Sequence, residues 1–300
     1  MNKKILLISI FFVAVFGIVA LIFGSDKKKD NVKIETSRNQ KLKVAVTIFP
    51  LYDIVKNVVG DRGEVNLILP PGTSPHFFEF TPRQIGQIKK NNLAFGIGLG
   101  LDDWATTILK NNGIQTITVE KNIDLLKSGE AKNPHYWLSP QNVEIITETV
   151  ANVLSAVNPE DKEVYQENAR KYIGELGKKE SEWQEMLEKV KCKEIITTHN
   201  AWPYFAEYFG LKIVAVFNPE NGNNPSPKQL KRLSEKIKKS CAKTIFTEKQ
   251  ISGEIVKTFA KDNQLKIGVL DPLGGTEGAN TYIKLMDYNI KEIIKGLKND

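Results

Sequence analysis

Short apolar runs alternating with amphipathic segments constrain this chain more than any other feature. Val44 to Ile48, Val65 to Leu69, Leu93 to Ile97 and Thr116 to Val119 read as strands; Leu51 to Val59, Thr81 to Lys90 and Ser139 to Ala156 read as helices. The rhythm stops, then restarts. Glu194 to Thr198, Lys212 to Phe217, Lys243 to Thr247 and Lys266 to Leu270 read as strands, with helices over Trp202 to Phe209, Pro227 to Lys239, Gly253 to Asp262 and Thr281 to Leu297. Strands separated by helices pair in parallel, because each crossover must return to the same edge and its helix then covers a face. The predicted fold is therefore α/β. It has two similar lobes, each a roughly four-stranded parallel sheet flanked by helices, joined by one long rigid helix.

That joining helix is read from Pro159 to Val190. Tyr165, Ala169, Tyr172, Leu176, Trp183, Leu187 and Val190 recur at helical spacing and form one stripe. A single helix of this length would run about 48 Å. Gly174 and Gly177 each cost about 1 kcal/mol in a helix interior, which leaves a hairpin broken at Gly177 as the alternative. No Pro or Asn accompanies the glycines, so one strut is preferred.

Lys3 and Lys4 precede an uncharged run from Ile5 to Phe23, and charged residues follow from Asp26. A helix of that run would span roughly 28 Å, close to one hydrocarbon thickness. Residues 1–25 are read as an uncleaved signal-anchor, with a cleaved signal peptide as the alternative. Both export the chain, and the first anchors it to the membrane. No Cys follows the run, so the chain is not expected to be a lipoprotein. Residues 26–41 read as a polar tether, 42–158 as an N-terminal lobe, 159–190 as the linking helix and 191–300 as a C-terminal lobe.

The 42 Lys plus Arg against 35 Asp plus Glu leave a net charge of +7. The basic residues are scattered on helical faces such as Lys228 to Lys239, as expected for solvated surface, and no nucleic-acid partner is expected. Two cysteines exclude a disulfide-dense scaffold and a Cys-rich zinc module. Gly96-Ile-Gly98-Leu-Gly100 lacks the last glycine of a dinucleotide loop, and Leu101-Asp-Asp-Trp104 offers no helix start to hold a phosphate.

The three histidines, His76, His135 and His199, all sit in loops, two of them directly after predicted strands. Asp271 follows the last strand. Parallel sheets bind ligands at the carboxyl ends of their strands. Three imidazoles and a carboxylate from four loops can close a tetrahedral zinc site. Spacing alone leaves open three unrelated surface or capping histidines.

The residues around these positions carry a resemblance. Gly72-Thr-Ser-Pro-His-Phe-Phe-Glu-Phe-Thr-Pro, Asn133-Pro-His-Tyr-Trp-Leu-Ser-Pro, Thr198-His-Asn-Ala-Trp-Pro-Tyr-Phe and Leu270-Asp-Pro-Leu-Gly-Gly resemble, in order, the zinc/manganese ABC-transporter solute-binding proteins, the ZnuA/TroA-like metal receptors. The likeness runs from Leu42 to Leu297. It implies that His76, His135, His199 and Asp271 bind a divalent ion between two lobes, and that the chain is not an enzyme. It also implies that the ion passes to the membrane permease of an ABC importer. A third imidazole in place of carboxylate favours Zn2+, with Mn2+ the alternative. A monomer is expected.

Departures from the pattern are the short loop from Asp124 to Asn133 without histidine, Asn200 where Asp is common, and Asn224 before Pro-Ser-Pro. Asn200 puts a charged partner for His199 in doubt. Glu79 is a candidate to orient His76 or a surface residue. Tyr136, Trp137, Trp202, Tyr204 and Phe205 are expected to line the cleft. Readings from other classes are a zinc hydrolase, which Asp271 in the fourth position disfavours, and a metal-binding adhesin. With three imidazoles titrating near 6.5, affinity is expected to fall between about pH 7 and 5.

Cys192 and Cys241 lie at matching offsets before the first and third strands of the second lobe. Strand order 2-1-3-4 makes those strands neighbours, about 4.8 Å apart, which predicts a Cys192–Cys241 disulfide. Two buried thiols are the alternative.

Overall fold

The computed structural model describes residues 41–217, 225–249 and 253–298. The predicted signal segment, nearly all of the tether, and Asn224 lie outside the described residues.

In the first lobe, β1 (Leu42–Val46), β2 (Gly63–Leu67), β3 (Leu93–Gly96) and β4 (Gln115–Thr118) form a parallel sheet in the order β2-β1-β3-β4. Its helices are α1 (Phe49–Val59), α2 (Pro82–Ile88), α3 (Asp103–Asn111) and α4 (Pro140–Val157), with a two-residue hairpin, β5 (Lys127–Ser128) and β6 (Ala131–Lys132), before α4. The apolar residues of β1 and β3 are buried, as a central parallel strand requires. Thr81 starts α2 with a capping box to Gln84.

The sequence reading has no helix at α3. Its buried face is only Ala105, Thr106 and Leu109, too small and mixed for the apolar spacing to stand out. The preceding glycine loop has its own logic. Asp102 is buried, and its carboxylate accepts the N–H groups of Ile97 (2.6 Å) and Gly98 (2.8 Å). The amides that a phosphate would need are already bonded to an internal anion.

The second lobe repeats the winding. β7 (Glu194–Thr197), β8 (Lys212–Val216), β9 (Thr244–Glu248) and β10 (Lys266–Leu270) are parallel in the order β10-β9-β7-β8. The helices are α6 (Pro203–Tyr208), α7 (Pro227–Lys238), α8 (Glu254–Asp262) and α9 (Tyr282–Leu297). Within β7 and β9, Ile196 pairs with Ile245 and Thr197 with Phe246. Cys192 and Cys241, at the same sequence separation of 49, are bonded, with their Cα atoms 5.9 Å apart.

Between the lobes runs α5 (Lys162–Glu188), one helix of 27 residues that continues through Gly174 and Gly177. Every residue of the predicted stripe is buried. The stripe packs on α1 and α4 of the first lobe and α9 of the second. The polar contacts have the same division. Asn168 donates to the Val58 carbonyl, and the Trp183 indole donates to Asp287.

One apolar cluster passes without a break from β1 and α1 through α4 and α5 to α6 and α9. Smaller clusters fill the outer faces of each sheet. Opening the lobes widely would expose that shared core at roughly 25 cal/mol per Å2, so small tilts are the accessible motion.

The disulfide closes a loop with a sequence separation of 49, worth up to about 4 kcal/mol in chain entropy. Replacing both Cys192 and Cys241 by Ser should lower the thermal unfolding midpoint by several degrees. Metal affinity should stay unchanged, because the bond lies before β7 and β9 while His199 follows β7 at the other end, and His76 and His135 belong to the first lobe. An unaltered midpoint in the double variant would show that the bond contributes nothing.

Candidate metal centre

The site is built where both sheets present their carboxyl ends. His76 lies in a short 3-10 turn, Pro75–Phe77, after β2. Ser74 caps that turn by accepting the His76 N–H at 3.3 Å. The Trp104 indole holds it from below by donating to the Pro75 carbonyl at 2.9 Å. His135 follows β6 and precedes α4. His199 follows β7, and Asp271 follows β10.

The structure brings the three histidines together. One ring nitrogen from each of His76, His135 and His199 lies within 4.8 Å of the others. Ring centroids are 5.5 Å (His76–His135), 5.3 Å (His76–His199) and 4.8 Å (His135–His199) apart. Asp271, the fourth ligand that the sequence suggests, is not a member of this cluster. Its Oδ1 accepts the N–H groups of Leu273 (3.0 Å) and Gly274 (2.8 Å), and its Oδ2 is 3.1 Å from Lys249 Nζ.

Two of the imidazoles are oriented by acceptors. The Asn133 Oδ1 lies 2.8 Å from His135 Nδ1 and also accepts the His135 N–H at 2.9 Å. An amide oxygen only accepts, so Nδ1 carries the proton and Nε2 keeps its lone pair. The Asn133 amide donates across the lobes to the Asn200 carbonyl at 2.8 Å. His199 Nδ1 is 3.1 Å from both carboxylate oxygens of Glu248, which fixes the same tautomer.

Glu248 is 3% exposed and also accepts the Trp202 indole N–H at 3.0 Å. It supplies the charged partner that Asn200 had put in doubt. Asn200 itself donates to Ser128 Oγ. Sequence reasoning missed Glu248 because it stands 49 residues from His199 and meets it only through the β7–β9 register, the same offset that predicts the disulfide. Glu79 is exposed.

The walls are aromatic. Tyr136, Trp137, Trp202, Tyr204 and Phe205 are all buried. Trp137 donates to the Pro272 carbonyl at 2.8 Å, and the Tyr282 hydroxyl donates to the Trp137 carbonyl at 2.9 Å, so the His135 and Asp271 loops are tied to each other. Gly275 permits this approach. It has φ +79°, and a Cβ there would lie 2.9 Å from the Phe49 ring.

Dry walls set the electrostatics. Burial, followed by the neighbouring His199, pushes the His76 imidazole down to about 4. Burial also holds His135 well below the ordinary histidine range, with His199 and His76 adding to it. Both rings are neutral at pH 7 and offer lone pairs to a cation.

Known proteins carry this architecture. The chain is 28% identical to the manganese ABC transporter substrate-binding lipoprotein PsaA of Streptococcus mitis, over 95% of this chain and 97% of that relative. It is 28% identical to the high-affinity zinc uptake system protein ZnuA of Bacillus subtilis, over 85% of this chain and 87% of the other. The zinc-binding lipoprotein AdcA of Streptococcus pneumoniae is 29% identical over 84% of this chain, which spans 55% of that longer relative. Among solved structures, the solute-binding protein FpvC of Pseudomonas aeruginosa in complex with Mn2+ superposes with TM-score 0.77 at 29% identity, covering 86% of this chain and 99% of that one.

These relatives correct one expectation. The sequence reading anchored the chain by its N-terminal apolar run and excluded a lipoprotein; PsaA and AdcA are named lipoproteins, which overturns that exclusion. Among the described residues no helix is long and apolar enough to cross a membrane, and the run itself lies outside them. An export leader and an anchor are both uncharged runs behind basic residues, and length separates them poorly. The family described as zinc-uptake complex component A, periplasmic, matches residues 44–296, and the chain belongs to it.

Proposed function

We propose that this chain is an extracytoplasmic receptor that binds zinc through His76, His135 and His199, with Asp271 as a fourth ligand. It delivers the ion to the membrane permease of an ABC importer. The observation that carries this reading is the cluster of three imidazole nitrogens within 4.8 Å of one another, two of them with Nε2 set free by a bond at Nδ1. Zinc–nitrogen bonds of about 2.0–2.1 Å place tetrahedral ligands roughly 3.4 Å apart. Closing the cluster around an ion therefore takes shifts of about an ångström, within the reach of the small tilts that the shared core allows.

Three nitrogen donors favour zinc over manganese, which prefers oxygen. Manganese is the alternative, and the relatives are named for both metals. The reading is of transport rather than catalysis, because a fourth protein ligand leaves no open position to activate water.

Calorimetric titration of chelator-stripped protein with zinc and manganese tests the proposal. His76→Ala, His135→Ala and His199→Ala should each weaken zinc binding by more than about tenfold, since even outer-shell substitutions cost that much. Unchanged affinity would remove that residue from the site. Glu248→Gln should weaken binding less, because the amide can still accept from His199.

The depressed His76 value moves the pH dependence. A folded-state pKa below the unfolded 6.5 means that the unfolded chain binds the proton first, so stability falls as pH drops from about 6.5 to about 4. The thermal midpoint of metal-free protein should fall over that window more steeply in the wild type than in His76→Gln. Equal slopes would contradict the depressed value. For zinc, proton competition at His76 should set in near pH 4 rather than across the 7-to-5 range expected from free histidine.

A further inference from the structure

Glu248 and Lys249 are consecutive residues at the end of β9, and they reach two different ligands of the proposed site with opposite charge. Glu248 holds His199. Lys249 reaches Asp271, with Nζ 3.1 Å from Oδ2, 3.2 Å from Thr276 Oγ1 and 5.3 Å from the centre of the Tyr288 ring. Asp271 is 1% exposed, and its main chain is clamped in both directions by Asn289: its N–H donates to Asn289 Oδ1, and Asn289 Nδ2 donates to its carbonyl. Its Oδ1 is taken by two backbone N–H groups, so Oδ2 is the oxygen available to a cation, and the ammonium has it.

We propose that Lys249 is a built-in counter-cation for Asp271 in the metal-free protein, and that an incoming ion must displace its ammonium to recruit the carboxylate. This rests on the metal-binding reading above. A buried carboxylate left without a cation is costly, which is why the metal-free state keeps the pair. An ammonium and a divalent ion on the same carboxylate oxygen are like charges a few ångströms apart, and they repel strongly in a water-poor cleft. Lys249 is suited to leave. Its side chain is 40% exposed and sits on a flexible four-carbon stem, so the ammonium can swing into solvent.

The exchange also discriminates between metals. Either ion displaces the ammonium to reach Asp271, but a nitrogen-preferring ion draws most of its binding from the three imidazoles, whereas an oxygen-preferring ion gains less from them and has less binding to offset that cost. Lys249 thus acts as a specificity-determining residue that favours zinc over manganese.

The test is calorimetry with zinc and with manganese on chelator-stripped wild type, Lys249→Met, Lys249→Arg, Asp271→Asn and the Lys249→Met/Asp271→Asn double variant, together with metal-free thermal midpoints. Lys249→Met should tighten manganese by about tenfold, the equivalent of about 1.4 kcal/mol, and zinc by less. Lys249→Arg, which keeps the charge, should resemble the wild type. In the Asp271→Asn background the Lys249→Met change should have no effect. The metal-free midpoint of Lys249→Met should drop and be restored by metal. Unchanged or weakened affinity in Lys249→Met would overturn the proposal, as would tightening of equal size in the Asp271→Asn background, which would show a general charge effect. A lowered midpoint with unaltered affinities would make Lys249 structural only, and overturns it too. Failure of the metal-binding reading is distinct: the wild type itself would then bind neither metal, and both proposals fall.

Discussion

The pairing of β7 with β9 sets the geometry on which the site depends. Its register is 49 residues, held in the middle by Ile196 with Ile245 and Thr197 with Phe246. The Cys192–Cys241 bond clamps the same register before the strands, and the His199–Glu248 contact uses it after them. Side chains alternate faces along a strand, so a slip of one residue would turn Glu248 away from His199 and leave a buried carboxylate unpaired. Covalent, backbone and charged contacts thus specify one alignment along a single pair of strands.

A second constraint joins the lobes. Asp53 of α1 is buried, accepts the Tyr282 N–H at the start of α9 at 2.9 Å, and lies 3.4 Å from the Tyr172 hydroxyl of α5. Burial raises its carboxyl above the usual range, and the hydrogen bonds from Tyr282 and Tyr172 oppose that rise. One side chain therefore touches the first lobe, the strut and the last helix. Tyr204 adds a bridge near the cleft, accepting the Leu126 N–H and donating to the Asn133 carbonyl, both at 2.9 Å. These bonds run beside the shared apolar core and help to hold loops from two sheets in place around the three imidazoles.

The chemistry of the cleft follows from dryness as much as from ligand identity. Burial, and then the neighbouring imidazoles, depress His76 and His135, keeping lone pairs available at neutral pH. The same burial makes an unpaired Asp271 carboxylate costly, and Lys249 sits beside it. Neighbouring residues of opposite sign at one strand end meet His199 and Asp271: Glu248 holds the imidazole and Lys249 the carboxylate.

Much of this was legible in the amino-acid order. Periodicity placed both sheets and the single strut, because burial on one helical stripe or on both strand faces leaves a repeating trace. Motif strings pointed to His76, His135 and His199, which the structure brings together, and to Asp271, which stands outside that cluster; matched offsets pointed to Cys192 with Cys241. The α3 helix was not legible, since its buried face of Ala105, Thr106 and Leu109 leaves too little apolar signal. Nor were Glu248 as the partner of His199, Asn133 as the brace of His135, or Lys249 on Asp271. Composition and local spacing determine which segments fold and which side chains can ligate. Which of them meet, in which tautomer and against which counter-charge, is decided by strand register and lobe packing, because those contacts join residues far apart in the chain and depend on a few ångströms of tertiary placement.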